Sequence, residues 1–304
     1  MNISNNDELD LPPNIFYIFN FSLSIVISLI GITLCSTLLI AVLRHRKCHT
    51  ISNLLACNTS IAIISYLILA IHASIYGFRE DWALHAPLCI PRAYLFTGSI
   101  ATVCYSFAIQ SLSRLFFTIY YQYRCLLTWH LHRLLIMINW LIGFTIPLYA
   151  LSKQGSLAFE RQSRICVLKT NWFFVAMFSM ITIIFIPVGV TIVVYRKLFD
   201  YSRQSTDRML RISRYVNTRR VRLNVRRDLK LAQQIFIHTT CASCGGMIFF
   251  FNVFWQAFCP RPLPKYLFLL GYILMTVGMG MISLAHFLLN KKVKKLVWKY
   301  ICQR

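Results

Sequence analysis

Acidic side chains are what this sequence most lacks. Its 304 residues hold nine Asp and Glu against 32 Lys and Arg, and the four types together make up only 13% of the chain. A soluble domain carries about 25% charge, so a polar surface cannot cover a globule of this size. With 57% of the residues apolar or aromatic, lipid has to serve as solvent. Other absences narrow the class further. No series of roughly ten-residue segments alternates apolar with polar, which excludes a membrane β-barrel. The eleven cysteines are not in metal-ligand spacing. Cys241 and Cys244 form a lone Cys-x-x-Cys inside an apolar run and read as small core residues. Neither a metal nor another cofactor is expected. The opening MNISNNDELDLPPN has no basic stretch and no small-residue cleavage pattern. The first apolar segment is therefore expected to act as an uncleaved signal anchor.

Against these absences stand seven apolar runs, at about 15–43, 51–77, 88–119, 129–151, 171–198, 231–258 and 263–289. Each reaches the roughly 20 residues a spanning helix needs. The expected fold is an all-α membrane protein, a seven-transmembrane helix bundle. The third run organises the others because it carries Arg92 near its start and Arg114 deep in its second half. On a helix rising about 1.5 Å per residue they lie about 33 Å apart, one for each face of a bilayer.

Basic residues set the expected orientation. One set of loops takes 24 Lys and Arg, twelve of them between Arg196 and Lys230, and the opposite set takes eight. The sparser side also has six of the nine acids, so it is expected outside, with the N-terminus, and the C-terminus in the cytosol. The basic collar then faces anionic lipid. A nucleic-acid partner would need a soluble basic face, and none is expected. Residues 1–14 form an extracellular tail, where Asn2-Ile3-Ser4 is a glycosylation sequon at Asn2. Residues 200–228 form a basic third cytoplasmic loop, read as an amphipathic extension of helices five and six or as a disordered loop. In 290–304, Val293, Leu296, Val297 and Tyr300 recur at helical spacing among lysines. That pattern fits a short amphipathic eighth helix on the inner leaflet, with Cys302 open to palmitoylation, or an unmodified tail.

The specific residues resemble those of the rhodopsin-like G-protein-coupled receptors. Trp82 stands seven residues before Cys89, as in that family's first outer loop, and Cys166 falls in the second outer loop. The resemblance implies a Cys89–Cys166 disulfide, which requires the loop to fold back over the bundle; the outer face is oxidising. Arg114 follows Cys89 by 25 residues, where the family has the arginine of its Asp-Arg-Tyr motif, here Ser113-Arg114-Leu115. A charged group in a spanning helix is costly and usually functional; the other reading of Arg114 is a side chain that simply reaches up to the headgroups. Trp140 looks like the family's tryptophan in helix four. Pro187 and Tyr195 match its spacing in helix five, which implies a loosened helix near the ligand and a tyrosine that moves beside Arg114 on activation. Asp228, at the start of helix six, is expected to pair with Arg114 and replace the acid missing at Ser113.

The departures from the pattern lie in helices one, two, six and seven. Cys35 and Ile63 replace the family's asparagine and aspartate, so no sodium site is implied. Helix six has Gly245 and Gly246 but not the family's Trp and Pro, and helix seven reads Ser283-Leu284-Ala285-His286-Phe287 instead of Asn-Pro-x-x-Tyr. The chain looks like a divergent member of that family. Phe96 occupies the place of the aspartate that pairs amine ligands, and Lys265 is the only lysine of the seventh run, at its lip. Amine and retinal ligands are therefore disfavoured. Arg92, Arg161, Arg164 and Lys169 near the expected mouth favour an acidic peptide, or are simply solvated. Phe96, Phe249 and Phe250 fall at pocket positions of the family, with helix packing as the other reading.

The resulting expectation is a non-enzymatic plasma-membrane receptor that transmits an extracellular ligand, a peptide first among candidates, to a heterotrimeric G protein. The alternatives are a seven-helix transporter or channel, and a receptor-like protein that no longer signals. A transporter needs paired ionisable groups at the midplane, whereas the helix interiors offer only His72, His238 and His286.

Overall fold

The computed structural model describes residues 14–79, 88–153, 155–160, 163–169, 172–212, 246–255, 258, 266–290 and 294. Seven helices are labelled in chain order. They are α1 (Asn14–Arg44), α2 (Ile51–Gly77), α3 (Cys89–Thr118), α4 (Trp129–Leu151), α5, α6 (Gly246–Trp255) and α7 (Tyr266–Leu289). Helix α5 runs as Phe173–Met180, a π-helical turn Ile181–Phe185, and Ile186–Ile212. Among the described residues, six of them are long and apolar enough to cross a membrane, and α6 is described over ten residues. The chain is thus a helical membrane protein. Asn2, Trp82, Arg161, Asp228, Lys265 and Cys302, together with Cys241, Cys244 and the first part of the sixth apolar run, lie outside the described residues.

Helix ends follow local chemistry. Thr50 and Thr128 cap α2 and α4, each hydroxyl accepting from the amide N–H three residues on. Within the helices, Thr33, Thr37, Thr59, Thr102 and Thr145 return their hydroxyl protons to carbonyls four residues back. This internal bonding lets polar side chains sit in an apolar medium. Apolar side chains such as Ile15, Phe19 and Ile40 on α1, Met137 and Leu141 on α4, and Phe174 on α5 stay exposed. Faces of that size suit acyl chains.

Helix α3 is the most enclosed of the spanning-length helices. It packs against α2, α4 and α5 and against both strands of a hairpin. Its buried positions are mostly small, among them Gly98, Ala101, Thr102, Ser106, Ala108 and Ser111. Small residues let helix backbones approach closely. The closest approach is at Gly143 of α4, where any Cβ would run into the side chain and backbone of Thr102. The main core lies between α1, α2, α3 and α7, where Tyr17, Phe21, Tyr66, Phe107 and Met279 are almost wholly buried.

The hairpin pairs β1 (Leu157–Glu160) with β2 (Ile165–Leu168) antiparallel, Phe159 opposite Cys166. A disulfide joins Cys166 to Cys89 in the first turn of α3, with a Cα–Cα distance of 5.4 Å. At the tip, Arg164 adopts a left-handed backbone, φ 54°. Its guanidinium lies 4.0 Å from the centroid of the Tyr17 ring on α1. The hairpin therefore lies across the bundle end, bonded to α3 and leaning on α1.

The π-helical turn in α5 has an identifiable cause. Pro187 has no N–H to give, and its ring crowds the carbonyl four residues back, that of Ile183. The helix widens over Ile181–Phe185, just before the proline. The Tyr105 hydroxyl of α3 donates to the Thr182 carbonyl in this turn at 2.9 Å, which satisfies an oxygen that regular helix bonding would otherwise occupy.

Candidate functional site

Two sites lie along α3, one beneath the hairpin and one near the opposite end. Beneath the hairpin is a cavity of about 130 Å³. Phe96 and Ile100 of α3, Ile183 and Ile184 of the π-helical turn, Phe249 of α6 and Met275 of α7 form its walls, and Ile165, Val167 and Leu168 of the hairpin contribute to its lining. None of the described lining residues is charged.

Four polar side chains reach the cavity. Thr97 donates to the Ala93 carbonyl at 2.8 Å, and the Tyr272 hydroxyl to that of Ala70 at 2.7 Å. Tyr272 also lies 3.0 Å from Ser74 and accepts from Ser24 at 3.4 Å, so it ties α7 to α1 and α2. The other two are Ser179 and Asn252. Ser179 Oγ and Asn252 Oδ1 are buried and make no hydrogen bond among the described residues. The residues are only 3% and 1% exposed, which removes bulk water as an easy partner. Buried polar atoms in this state are uncommon, and these two border the cavity.

The pocket residues expected from sequence divide. Phe96 and Phe249 are on the wall. Phe250 instead packs its ring against Phe185 and Phe254, with centroids 5.4 and 4.5 Å away. Arg92 lies beside the neighbouring, much smaller cleft; its Nη1 is 3.3 Å from His72 Nδ1 and its guanidinium 4.5 Å from the centroid of the Tyr76 ring. Arg164 is buried against Tyr17, and Lys169 uses its amide N–H on the Ser156 carbonyl at 2.7 Å.

Near the other end of α3, Arg114 comes within electrostatic reach of Tyr195 on α5 and His286 on α7. The Tyr195 hydroxyl is buried beside Arg114 and makes no well-directed hydrogen bond among the described residues. The His286 ring stacks on Phe107, centroids 6.5 Å apart. Ser113, one residue before the arginine, is 2.8 Å from Nε2 of His132 on α4, and His132 Nδ1 is 2.9 Å from the Thr128 carbonyl. A carbonyl only accepts, so Nδ1 carries the proton and Ser113 donates to Nε2. Thr59, Ser106 and Gln110 form a second buried chain between α2 and α3, with Gln110 Nε2 2.6 Å and Ser106 Oγ 2.9 Å from Thr59 Oγ1. Trp140 Nε1 donates to Asn58 Oδ1 at 2.8 Å.

Helix one and helix seven meet where the sequence departs from the receptor pattern. Cys35 donates to Ser283 Oγ at 3.4 Å, and Ile63 is fully buried. Among the described residues no group of His, Cys, Asp and Glu is arranged to hold a metal ion.

Sequence reasoning did not single out His132, Ser179, Asn252 or Tyr272. A polar residue within an apolar run was the available signal, as in Phe251-Asn252-Val253. No protein-family model matches the chain, and no curated protein matches it significantly.

Proposed function

We propose that the chain is a seven-helix receptor of the rhodopsin-like pattern in the plasma membrane. Its N-terminus is outside, and it passes a signal from an extracellular ligand to a heterotrimeric G protein. The observation that carries this reading is the pairing of two features on α3: a hairpin disulfide-bonded over a cavity at one end, and Arg114 beside Tyr195 at the other. Helix α5 links the two, since its π-helical turn lines the cavity and Tyr195 follows eight residues after Pro187. A ligand that fits one packing of α5 better than another shifts the balance between them. Arg114 and Tyr195 read that shift at the cytosolic face, and Asp228 is proposed to hold Arg114 at rest.

The test compares wild type with Arg114→Ala for constitutive and ligand-stimulated G-protein activation in cells, with surface expression followed through an epitope at the N-terminus. Epitope exposure on intact cells and loss of activation at equal expression are expected. No coupling to any G-protein class from either form would sink the receptor reading and leave a silent protein or a transporter. An acidic peptide is the ligand class favoured by the outer cations; of these, Arg92 and Arg164 each lie over a tyrosine ring of a neighbouring helix.

A further inference from the structure

The size, charge and polar contacts of the cavity under the hairpin are specific enough to restrict what fills it. We propose that it binds a compact, uncharged, mainly apolar molecule about the size of one substituted ring, with one hydroxyl that supplies the missing partner of Asn252 or Ser179. The consequence for signalling rests on the receptor reading above; the binding itself does not.

The volume, about 130 Å³, is close to that of engineered apolar cavities of about 150 Å³, which stay dry and take up benzene. Phe96 and Phe249 put aromatic surface on the wall. Charge is excluded by the lining, since no described wall residue carries any, and an ion without a partner is far too costly to bury. A peptide is excluded by its own backbone. Each residue brings an N–H and a carbonyl that need partners when buried, and among the described residues the wall offers two buried side-chain atoms to spare. Tyr272 and Thr97 are already engaged with carbonyls of their own bundle. A hydroxyl fits the remaining demand because it both donates and accepts, and so serves either end of the Asn252 amide. The position matters as much as the chemistry. Ser179, Ile183 and Ile184 come from the π-helical turn and the residues just before it. An occupant therefore touches α5 at its least regular point.

The experiment is calorimetric titration of the full chain in lipid nanodiscs, with empty nanodiscs as the blank. The probes are 4-ethylphenol, ethylbenzene, 4-ethylbenzoate and protonated 4-ethylbenzylamine. Saturable one-site binding of 4-ethylphenol is expected, about tenfold tighter than ethylbenzene, which is the usual scale for one buried hydrogen bond. The two charged probes should show no saturable binding. Asn252→Leu should bring 4-ethylphenol down to the affinity of ethylbenzene and leave ethylbenzene itself nearly unchanged. Ser179→Ala gives a second reading if the leucine variant fails to fold. The proposal is overturned by any of three results: no saturable binding of either neutral probe, which would mean that water alone fills the site; binding of a charged probe as tight as that of 4-ethylphenol; or a hydroxyl preference that survives in both variants. Signalling is scored separately. Binding without G-protein activation counts against the receptor reading alone, whereas activation by some other ligand with no probe bound overturns only this inference.

Discussion

Replacing Ser113 by alanine tests whether the contact beside Arg114 is a true tertiary bond. In the structure Ser113 donates to His132 Nε2 at 2.8 Å while Nδ1 is held by the Thr128 carbonyl at 2.9 Å. Ser113 is 3% exposed and His132 is fully buried. Removing the hydroxyl strands Nε2 as a buried acceptor. Stranding costs about 1–3 kcal/mol in proteins generally. Hydrogen bonds between membrane helices average about 0.6 kcal/mol and reach about 1.7. Together these give an expected loss of about 1–2 kcal/mol. For a chain of this size that is a fall of about 2–3 °C in melting temperature. Intrinsic tryptophan fluorescence during heating in nanodiscs reads it directly. The decisive comparison is a double-mutant cycle with His132→Ala. Loss of the Phe117 contact with the imidazole, centroids 5.8 Å apart, appears in both arms of the cycle and cancels. A coupling of at least about 0.5 kcal/mol is expected, as for residues in contact. Strict additivity, or a Ser113→Ala protein that melts with the wild type, would refute the claim that this bond joins α3 to α4.

Two further perturbations address other joints of the bundle. Cys166→Ser frees the hairpin from α3; closing a loop of 77 residues is worth about 4.5 kcal/mol in the chain-entropy account. The variant should melt lower and be cleaved faster by protease within 155–169, and peptide mapping of the wild type without reductant should recover Cys89 linked to Cys166. Gly143→Val places side-chain atoms against Thr102 where even a Cβ does not fit, so a loss of about 1–3 kcal/mol is expected, read as a lower melting temperature. An unchanged melt would show that α3 and α4 are further apart than described.

The presence of long apolar helices was legible in the sequence because hydropathy is a local quantity. A run such as 129–151 has to be helical in lipid, whatever it packs against, since its amides can find partners only within the segment. The structure has α4 over Trp129–Leu151. The strain at Pro187 was equally local, a missing N–H inside an apolar run, but its answer was not. The π-helical turn and the Tyr105 hydroxyl that satisfies Thr182 come from a neighbouring helix. Cys89 and Cys166 could be paired from sequence only through a family resemblance, because nothing local says which of eleven cysteines meet.

The seven apolar runs and the uneven spread of basic residues are properties of the sequence alone, because hydrophobicity and charge belong to each residue wherever it sits. Tertiary structure alone decided that Ser113 meets His132, that Arg92 turns to Tyr76, that Phe250 packs away from the cavity, and that Asn252 and Ser179 face it with bonds to spare. The physical reason is that a helix's pattern of residues says which side chains share a face, but the rotation and depth of each helix against its neighbours follow from packing. That packing joins residues as distant in sequence as Ser24 and Tyr272, 248 positions apart, and no local pattern encodes such a meeting.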